Sequence, residues 1–380
     1  MVKIIDLFCG TGGFSKGFEN SSKTRYKVIL GIDILKDSIA TFKANHKEAI
    51  GLCADINKIK KSSLLTDNRI RKDSIDLIIG GPPCQGFSSI RPFRSINDND
   101  PRNNLYMSFV SFVGFFRPKM FVMENVVGLA THKNGETIEI IQNTFFSLGY
   151  ETEWKILNAA NYGVPQKRER LIILGASKGA EISFPKPSHY FTGKTIGYKM
   201  KEKLVRAAND LFSNSLDPTI TVKDAISDLP EIGSGEEAKR YTSKPFTQYQ
   251  KERRKRNTQL TLHKSTEHSD AMLEIIKLSG SSINNLPAGL VSSGFSTSYS
   301  RLNYNEPSVT LTVNFVHPAS NKCIHPTQNR ALTPREGARI QSFDDDFIFM
   351  GSRTNIVKQI GNAVPPLLGK AIADEISNYI

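Results

Sequence analysis

Cys84 has the clearest setting for chemistry in this 380-residue chain. It stands in Gly80-Gly81-Pro82-Pro83-Cys84-Gln85-Gly86-Phe87-Ser88, directly after the apolar run Ile75 to Ile79. Glycines at 80, 81 and 86 admit backbone shapes and close approaches that a Cβ would block, while Pro82 and Pro83 fix φ and stiffen the loop. The run and the turn together present a sulfur nucleophile at the carboxyl end of a buried strand, where open α/β sheets keep their reactive groups. An arbitrary intracellular cysteine is usually a small core hydrophobe. The rigid turn and the strand exit favour the nucleophile at this position.

A second centre lies at the first strand, which ends in Asp6-Leu7-Phe8-Cys9-Gly10-Thr11-Gly12-Gly13-Phe14. A dinucleotide fingerprint would need glycine at 15, where the chain has Ser15, so a pyrophosphate site is disfavoured. What remains is a glycine turn able to approach a ligand that lacks a pyrophosphate. Asp33 closes the second strand 23 residues after Gly10, the right reach for a carboxylate to accept from a ribose diol. Asp55 closes the third, where it could accept from an adenine amino group. Singly each is a solvated strand-end acid; three aligned strand ends point to an adenosine-bearing cofactor.

The elements that must position these groups alternate. Residues 3–8, 28–32, 50–53, 75–79, 120–123 and 171–174 are short, apolar and β-rich, with helical patterns at 105–116 and 138–148 between them. That alternation predicts an α/β fold with a doubly wound, mostly parallel sheet. After about residue 185 the rhythm stops, and Ser, Thr, Asn, Gly and Pro become frequent, as in a looser, smaller domain. Leu368, Ile372, Ile376 and Ile380 then recur every four residues, giving a C-terminal helix that packs back onto the sheet. The expected division is 1–185, completed by 356–380, against 186–355.

Composition sets the class. No apolar run approaches the length that spans a bilayer, and the start enters a strand without a signal-peptide layout, so a soluble, cytoplasmic protein is expected. The four cysteines are far apart without a Cys-x-x-Cys pair, against a zinc site or a disulfide framework. A formal charge of +13 points to a polyanion, with nucleic acid favoured over membrane. Residues 186–264 carry 16 Lys/Arg against 9 Asp/Glu, and their densest cluster is Lys251-Glu252-Arg253-Arg254-Lys255-Arg256.

Six motifs in order now carry a resemblance. Asp6 to Gly13, Gly81 to Gln85, Glu124-Asn125-Val126, Gln166-Lys167-Arg168-Glu169-Arg170, Arg335 to Phe343 and Gly361-Asn362-Ala363-Val364 resemble the motif series of DNA (cytosine-5) methyltransferases of the bacterial or phage modification type. The resemblance implies the Rossmann-like S-adenosylmethionine-dependent methyltransferase fold with a target-recognition domain, and no metal. It implies that Cys84 adds to carbon 6 of a flipped cytosine, that Glu124 bonds or protonates ring nitrogen 3, and that Arg168 and Arg170 serve the cytosine carbonyl, the thiolate and the backbone phosphates. It assigns S-adenosylmethionine to Asp6, Phe8, Gly10, Gly12, Gly13, Asp33, Ile34, Asp55, Ile56, Pro82, Asn362 and Val364. Residues 88–104 look like the loop the family closes over the base, although Ser89-Ile90-Arg91-Pro92 replaces the Ala-Gly-Lys-like stretch often found there.

Double-stranded DNA is the expected partner, met through Gln85, Ser88, Arg91, Arg102, Arg253, Arg254 and Arg256 by a monomer. A restriction endonuclease acting independently completes the restriction-modification system that the resemblance implies. Two alternatives stand beside this reading. A tRNA cytosine methyltransferase should carry a Cys-Phe-Thr tripeptide, which this chain lacks; an inactive regulator of the same fold should lose Pro-Cys or Glu-Asn-Val, and both are intact.

Overall fold

A computed structural model describes residues 1–67, 70–83, 105–191, 203–205, 216–255, 259–291 and 296–380. The expected strands appear as β1 (Val2–Leu7), β2 (Tyr26–Asp33), β3 (Ile50–Cys53), β4 (Leu77–Gly80), β5 (Met120–Asn125) and β8 (Glu169–Ser177). Two more join them, β6 (Tyr150–Asn158) and β10 (Leu204–Val205), in the order β10-β6-β8-β5-β4-β1-β2-β3. Every neighbouring pair is parallel except those of β8, which runs antiparallel to β5 and β6. β6 escapes a reading by apolar run because Glu151 and Glu153 face solvent while Trp154 is buried.

The two-residue period of the strands splits the core into two layers. On one face Ile5, Leu7, Ile78 and Phe121 pack against α4 (Leu105–Phe116) and α6 (Glu136–Ser147). The Phe121 ring stacks on Phe145 with centroids 4.0 Å apart. Gly175 on β8 makes room for it, since a Cβ there would fall 2.1 Å from the Phe121 ring. On the other face Ile4, Leu77, Ile79 and Val122 pack against α1 (Gly13–Glu19), α2 (Lys36–Asn45) and α12 (Pro366–Ile376). This three-layer sandwich brings the carboxyl ends of β1 to β5 to one edge, where the glycine turns lie.

A third cluster of buried side chains lies in the second half of the chain, around Val222, Tyr249, Leu311, Phe315, Phe343 and Ile360. It is served by α7 (Val222–Ile226), α8 (Gln248–Arg254), α10 (Pro334–Ile340) and α11 (Arg353–Asn362). Thr333 and Glu336 form a reciprocal capping box at the start of α10, with Pro334 in the first turn. The polar composition predicted a loose region, but its interior is tied by ion pairs. Arg339 reaches Asp345 at 2.5 Å and Asp228 at 3.2 Å, Arg330 reaches Glu336 at 2.7 Å, and all five side chains are buried. Ile356, Val357 and Ile360 belong to the third cluster, whereas Leu368, Ile372 and Ile376 of α12 meet the sheet.

Candidate active site

Glu124 sits near the end of β5 and pairs in register with Ile172 of β8. Arg170, two residues earlier on β8, brings its Nε to 2.7 Å from Glu124 Oε1. The acid and the guanidinium are both mostly enclosed, so their attraction is screened far less than that of a surface pair. The Gly-Pro-Pro turn follows β4, the neighbour of β5, and meets this pair at two points. A Cβ on Gly81 would lie 2.9 Å from Glu124 Oε2, and Asn125 Nδ2 donates to the Pro82 carbonyl at 3.1 Å. A side chain at 81 would therefore press on the carboxylate, which would have to shift to admit it. Cys84, next after Pro83, lies outside the described residues, as do Gln85, Ser88, Arg91 and Arg102.

Arg168 is 2% exposed and makes only long bonds, from Nη1 to the Leu311 carbonyl at 3.4 Å and from Nη2 to the Asn362 carbonyl at 3.5 Å. Its Nε has no partner, and no carboxylate pairs with it among the described residues. Burial, and after it the Arg170 charge, push this guanidinium well below its usual range, against the pull of Glu124. A buried cation so poorly matched is an invitation to an anion. Gln166, the first residue of the same motif, ties the segment before β8 to the third cluster. Its amide donates to Gln341 Oε1 at 3.0 Å and accepts from Leu311 N–H at 3.0 Å, and Gln341 in turn donates to the Ile360 carbonyl at 2.7 Å.

At the ends of β1 to β3 the structure separates the expected cofactor residues into two groups. Gly10 has a left-handed φ of 53°, and a Cβ there would meet nothing within 4 Å. Thr11 is buried in the same turn with an unpartnered hydroxyl. Phe8 is left-handed as well, at φ 57°, a strained value for an aromatic residue. Asp33 Oδ2 accepts from Gly10 N–H at 2.9 Å and its Oδ1 from Leu35 N–H at 2.8 Å. Burial raises the Asp33 carboxyl against those backbone bonds. Ile34 is 65% exposed beside it, and Asp55 offers the oxygen not used in bonding Asn57 N–H. Open space over a left-handed glycine, an orphaned hydroxyl, strand-end carboxylates and an exposed apolar side chain fit an adenosyl group.

Other expected residues serve the fold beneath that surface. The Asp6 carboxylate is 1% exposed and accepts from Ser15 Oγ at 2.6 Å, so it fastens β1 to α1 and does not face a ligand. Burial lifts it to about 7 in spite of the Ser15 bond. Ile56 is buried in the core. Gly13 is glycine because a Cβ would lie 2.8 Å from the Val364 carbonyl and 2.9 Å from the Phe343 ring, which is how Val364 meets the turn. Asn362 is exposed, with its carbonyl toward Arg168. Burial, with Asp6 and Asp33 adding to it, pushes the Cys9 thiol well up, so Cys9 is inert beside the turn.

Within the basic cluster of α8, Arg253 and Arg254 turn to partners inside the protein, whereas Lys251 is exposed. Arg253 is 8% exposed, with Nη1 2.9 Å from Asp344, and Lys255 reaches the same carboxylate at 2.7 Å. The Arg254 guanidinium lies over the Tyr241 ring at 3.6 Å and donates to the Ser243 carbonyl. A sequence count of charges does not register Asp344 about ninety positions away from Arg253, and the Arg253 and Arg254 side chains are used internally. Arg256 is outside the described residues.

Comparison with known proteins bears on all of this. The model of the family described as C-5 cytosine-specific DNA methylase matches residues 2–378. The chain is 37% identical over 375 residues to the Type II methyltransferase M1.HphI of Haemophilus parahaemolyticus, covering 98% of this chain and 86% of the relative. It is 32% identical over 437 residues to M.AgeI of Thalassovita gelatinovora, covering 99% of each. Among solved structures, a prophage-encoded protein of E. coli superposes with a TM-score of 0.74 at 25% identity, covering 100% of this chain and 99% of that one. DNMT2 of Spodoptera frugiperda shares the fold, with a TM-score of 0.59 at 16% identity over 100% of this chain and 99% of its own. The mostly parallel sheet, with the Arg170–Glu124 pair and the glycine turn at its strand ends, agrees with these likenesses, and the chain belongs to the C-5 cytosine-specific DNA methylase family.

Proposed function

We propose that this DNA (cytosine-5) methyltransferase acts through a covalent Cys84 adduct on a cytosine turned out of the duplex. Carbon 5 of cytosine is a poor nucleophile until sulfur adds at carbon 6 and makes an enamine. Extrusion of the base costs a few kcal/mol, about what a handful of phosphate and base contacts can offset. Glu124 bonds or protonates ring nitrogen 3 as sulfur adds, and Arg170 holds that carboxylate in place. Arg168 and Arg170 take the cytosine carbonyl and the neighbouring anionic groups. S-adenosylmethionine, against Phe8, Gly10, Gly12, Asp33, Ile34, Asp55, Pro82, Asn362 and Val364, supplies an electrophilic methyl group. Loss of the carbon 5 proton and elimination then free Cys84.

The observation that carries this reading is the Arg170–Glu124 contact at 2.7 Å, pressed against Gly81 three residues before the cysteine. Exposed Arg240, Lys244, Lys251 and Lys264 support a duplex partner for residues 186–355. Gln85, Ser88, Arg91, Arg102 and Arg256 are further contacts in the proposal. The Type II names of the relatives support a modification enzyme paired with an independent restriction endonuclease, and a cytoplasmic monomer is part of the same proposal. Trapping tests the adduct. A duplex amplified with 5-fluorocytosine cannot release the sulfur after methylation, so the wild-type enzyme should form a denaturation-stable protein–DNA band that Cys84→Ser lacks. No band from an enzyme that methylates ordinary DNA removes the covalent step.

A further inference from the structure

His46 follows α2 and its side chain is fully enclosed. Its Nδ1 lies 3.0 Å from Glu19 Oε2, at the last turn of α1, and its Nε2 lies 3.1 Å from the carbonyl of Gly12, which caps the start of the same helix. The ring therefore bridges the two ends of α1, with one nitrogen on the Glu19 carboxylate and the other on the carbonyl that starts the helix. Phe42, one turn earlier on α2, stacks under it with centroids 4.6 Å apart. The two rings explain two glycines at once. A Cβ on Gly12 would lie 2.3 Å from His46 Nε2, and one on Gly31 would lie 2.4 Å from the Phe42 ring.

The direction of the Gly12 carbonyl matters beyond packing. It accepts from both His46 Nε2 and Lys16 N–H, the latter at 2.8 Å, so it is fixed toward the protein interior. The peptide is planar and trans, and its N–H, that of Gly13, must therefore point the opposite way, out of the turn. Gly12 itself has a left-handed φ of 81°, and Gly10 and Phe8 are left-handed beside it. A turn made of such residues has other shapes within easy reach, and a clamp on one carbonyl selects among them.

We propose that His46, clamped between the Gly12 carbonyl and Glu19, is a positioning residue that holds the glycine turn in the shape that receives the methyl donor. The inference rests on the reading of that turn as the S-adenosylmethionine site. Calorimetric binding of S-adenosylhomocysteine to the full chain tests it, with kinetics and melting alongside. His46→Phe keeps the ring on Phe42 and removes both polar contacts. It should raise the Kd of the probe and the KM for the methyl donor by about tenfold, the size of a lost buried hydrogen bond, with kcat at saturating donor and DNA affinity within about twofold. His46→Gln, which keeps one donor for Gly12, should recover part of the loss, and Glu19→Ala should weaken the probe severalfold if His46→Phe does not fold. Unchanged Kd in His46→Gln and Glu19→Ala, with only a lowered melting temperature, overturns the inference. Gly10→Asn separates the two claims, because asparagine tolerates the left-handed backbone and fills the open space over the turn. If Gly10→Asn binds the probe normally, the site reading falls; if it loses the probe while the His46 variants keep it, only the role of His46 falls.

Discussion

Arg170 and Glu124 face each other across the antiparallel β5–β8 pair with Nε and Oε1 2.7 Å apart. The contact couples the acid at the end of β5 to the strand that carries Arg170. Glu124→Gln should lower kcat by about a hundredfold to ten-thousandfold, the range of general acid–base groups, with probe binding unchanged. Arg170→Ala should add little once Glu124 is gone, because the two act as a unit. Single-turnover methyl transfer by the two single variants and the double variant measures this, and additive losses would separate them.

Gly81 makes a sharper prediction, since its effect is confined to the carboxylate. Gly81→Ala would place a methyl group 2.9 Å from Glu124 Oε2 and displace it from the cytosine edge. Activity should fall at least about tenfold, as about 1.4 kcal/mol of lost positioning produces, while the melting temperature moves little. A variant with normal kcat would mean that Glu124 keeps its place without the glycine.

Asp6 predicts a pH dependence of stability. Its carboxyl is raised from 3.8 to about 7 by burial, so the folded state holds its proton more tightly than the unfolded chain does. The stability it contributes is complete below about pH 4 and is lost as pH rises through about 7. Asp6→Asn removes the penalty, so the variant should gain on the wild type by on the order of 3 kcal/mol between pH 4 and pH 8. Melting at both pH values checks it. Curves that keep a constant separation would show that Asp6 does not titrate in this window.

Arg253 should behave as an interior cation. Arg253→Ala leaves Asp344 to Lys255 alone. The loss should be about 2–3 kcal/mol, at or below the usual cost of breaking a buried pair, and denaturant unfolding measures it. The slope of DNA affinity against salt should not change. A shallower slope would restore Arg253 to the phosphates.

Much of this site was legible because short-range patterns encode it. The glycine turn after β1, the strand-end Asp33 and the Gly-Pro-Pro-Cys turn are each contiguous, and the parallel sheet follows from alternating runs. What escaped depends on distant partners. Asp6 looks like a strand-end acid until Ser15, nine residues on, is seen beneath it. Arg253 looks like a phosphate contact until Asp344 folds against it. His46, in a polar stretch at the end of α2, has no local signal at all, and only its two acceptors reveal it. The buried arginines of α10 defeated a reading that equates low apolar content with looseness.

Methyl transfer itself tests the central claim most directly. The full chain, incubated with methyl-labelled S-adenosylmethionine and unmethylated duplex DNA or tRNA, should place label on DNA alone, recovered as 5-methylcytosine on nucleoside digestion, and Cys84→Ser should place none. Label recovered on tRNA only, label at another position of the DNA bases, or an active Cys84→Ser variant would contradict the account.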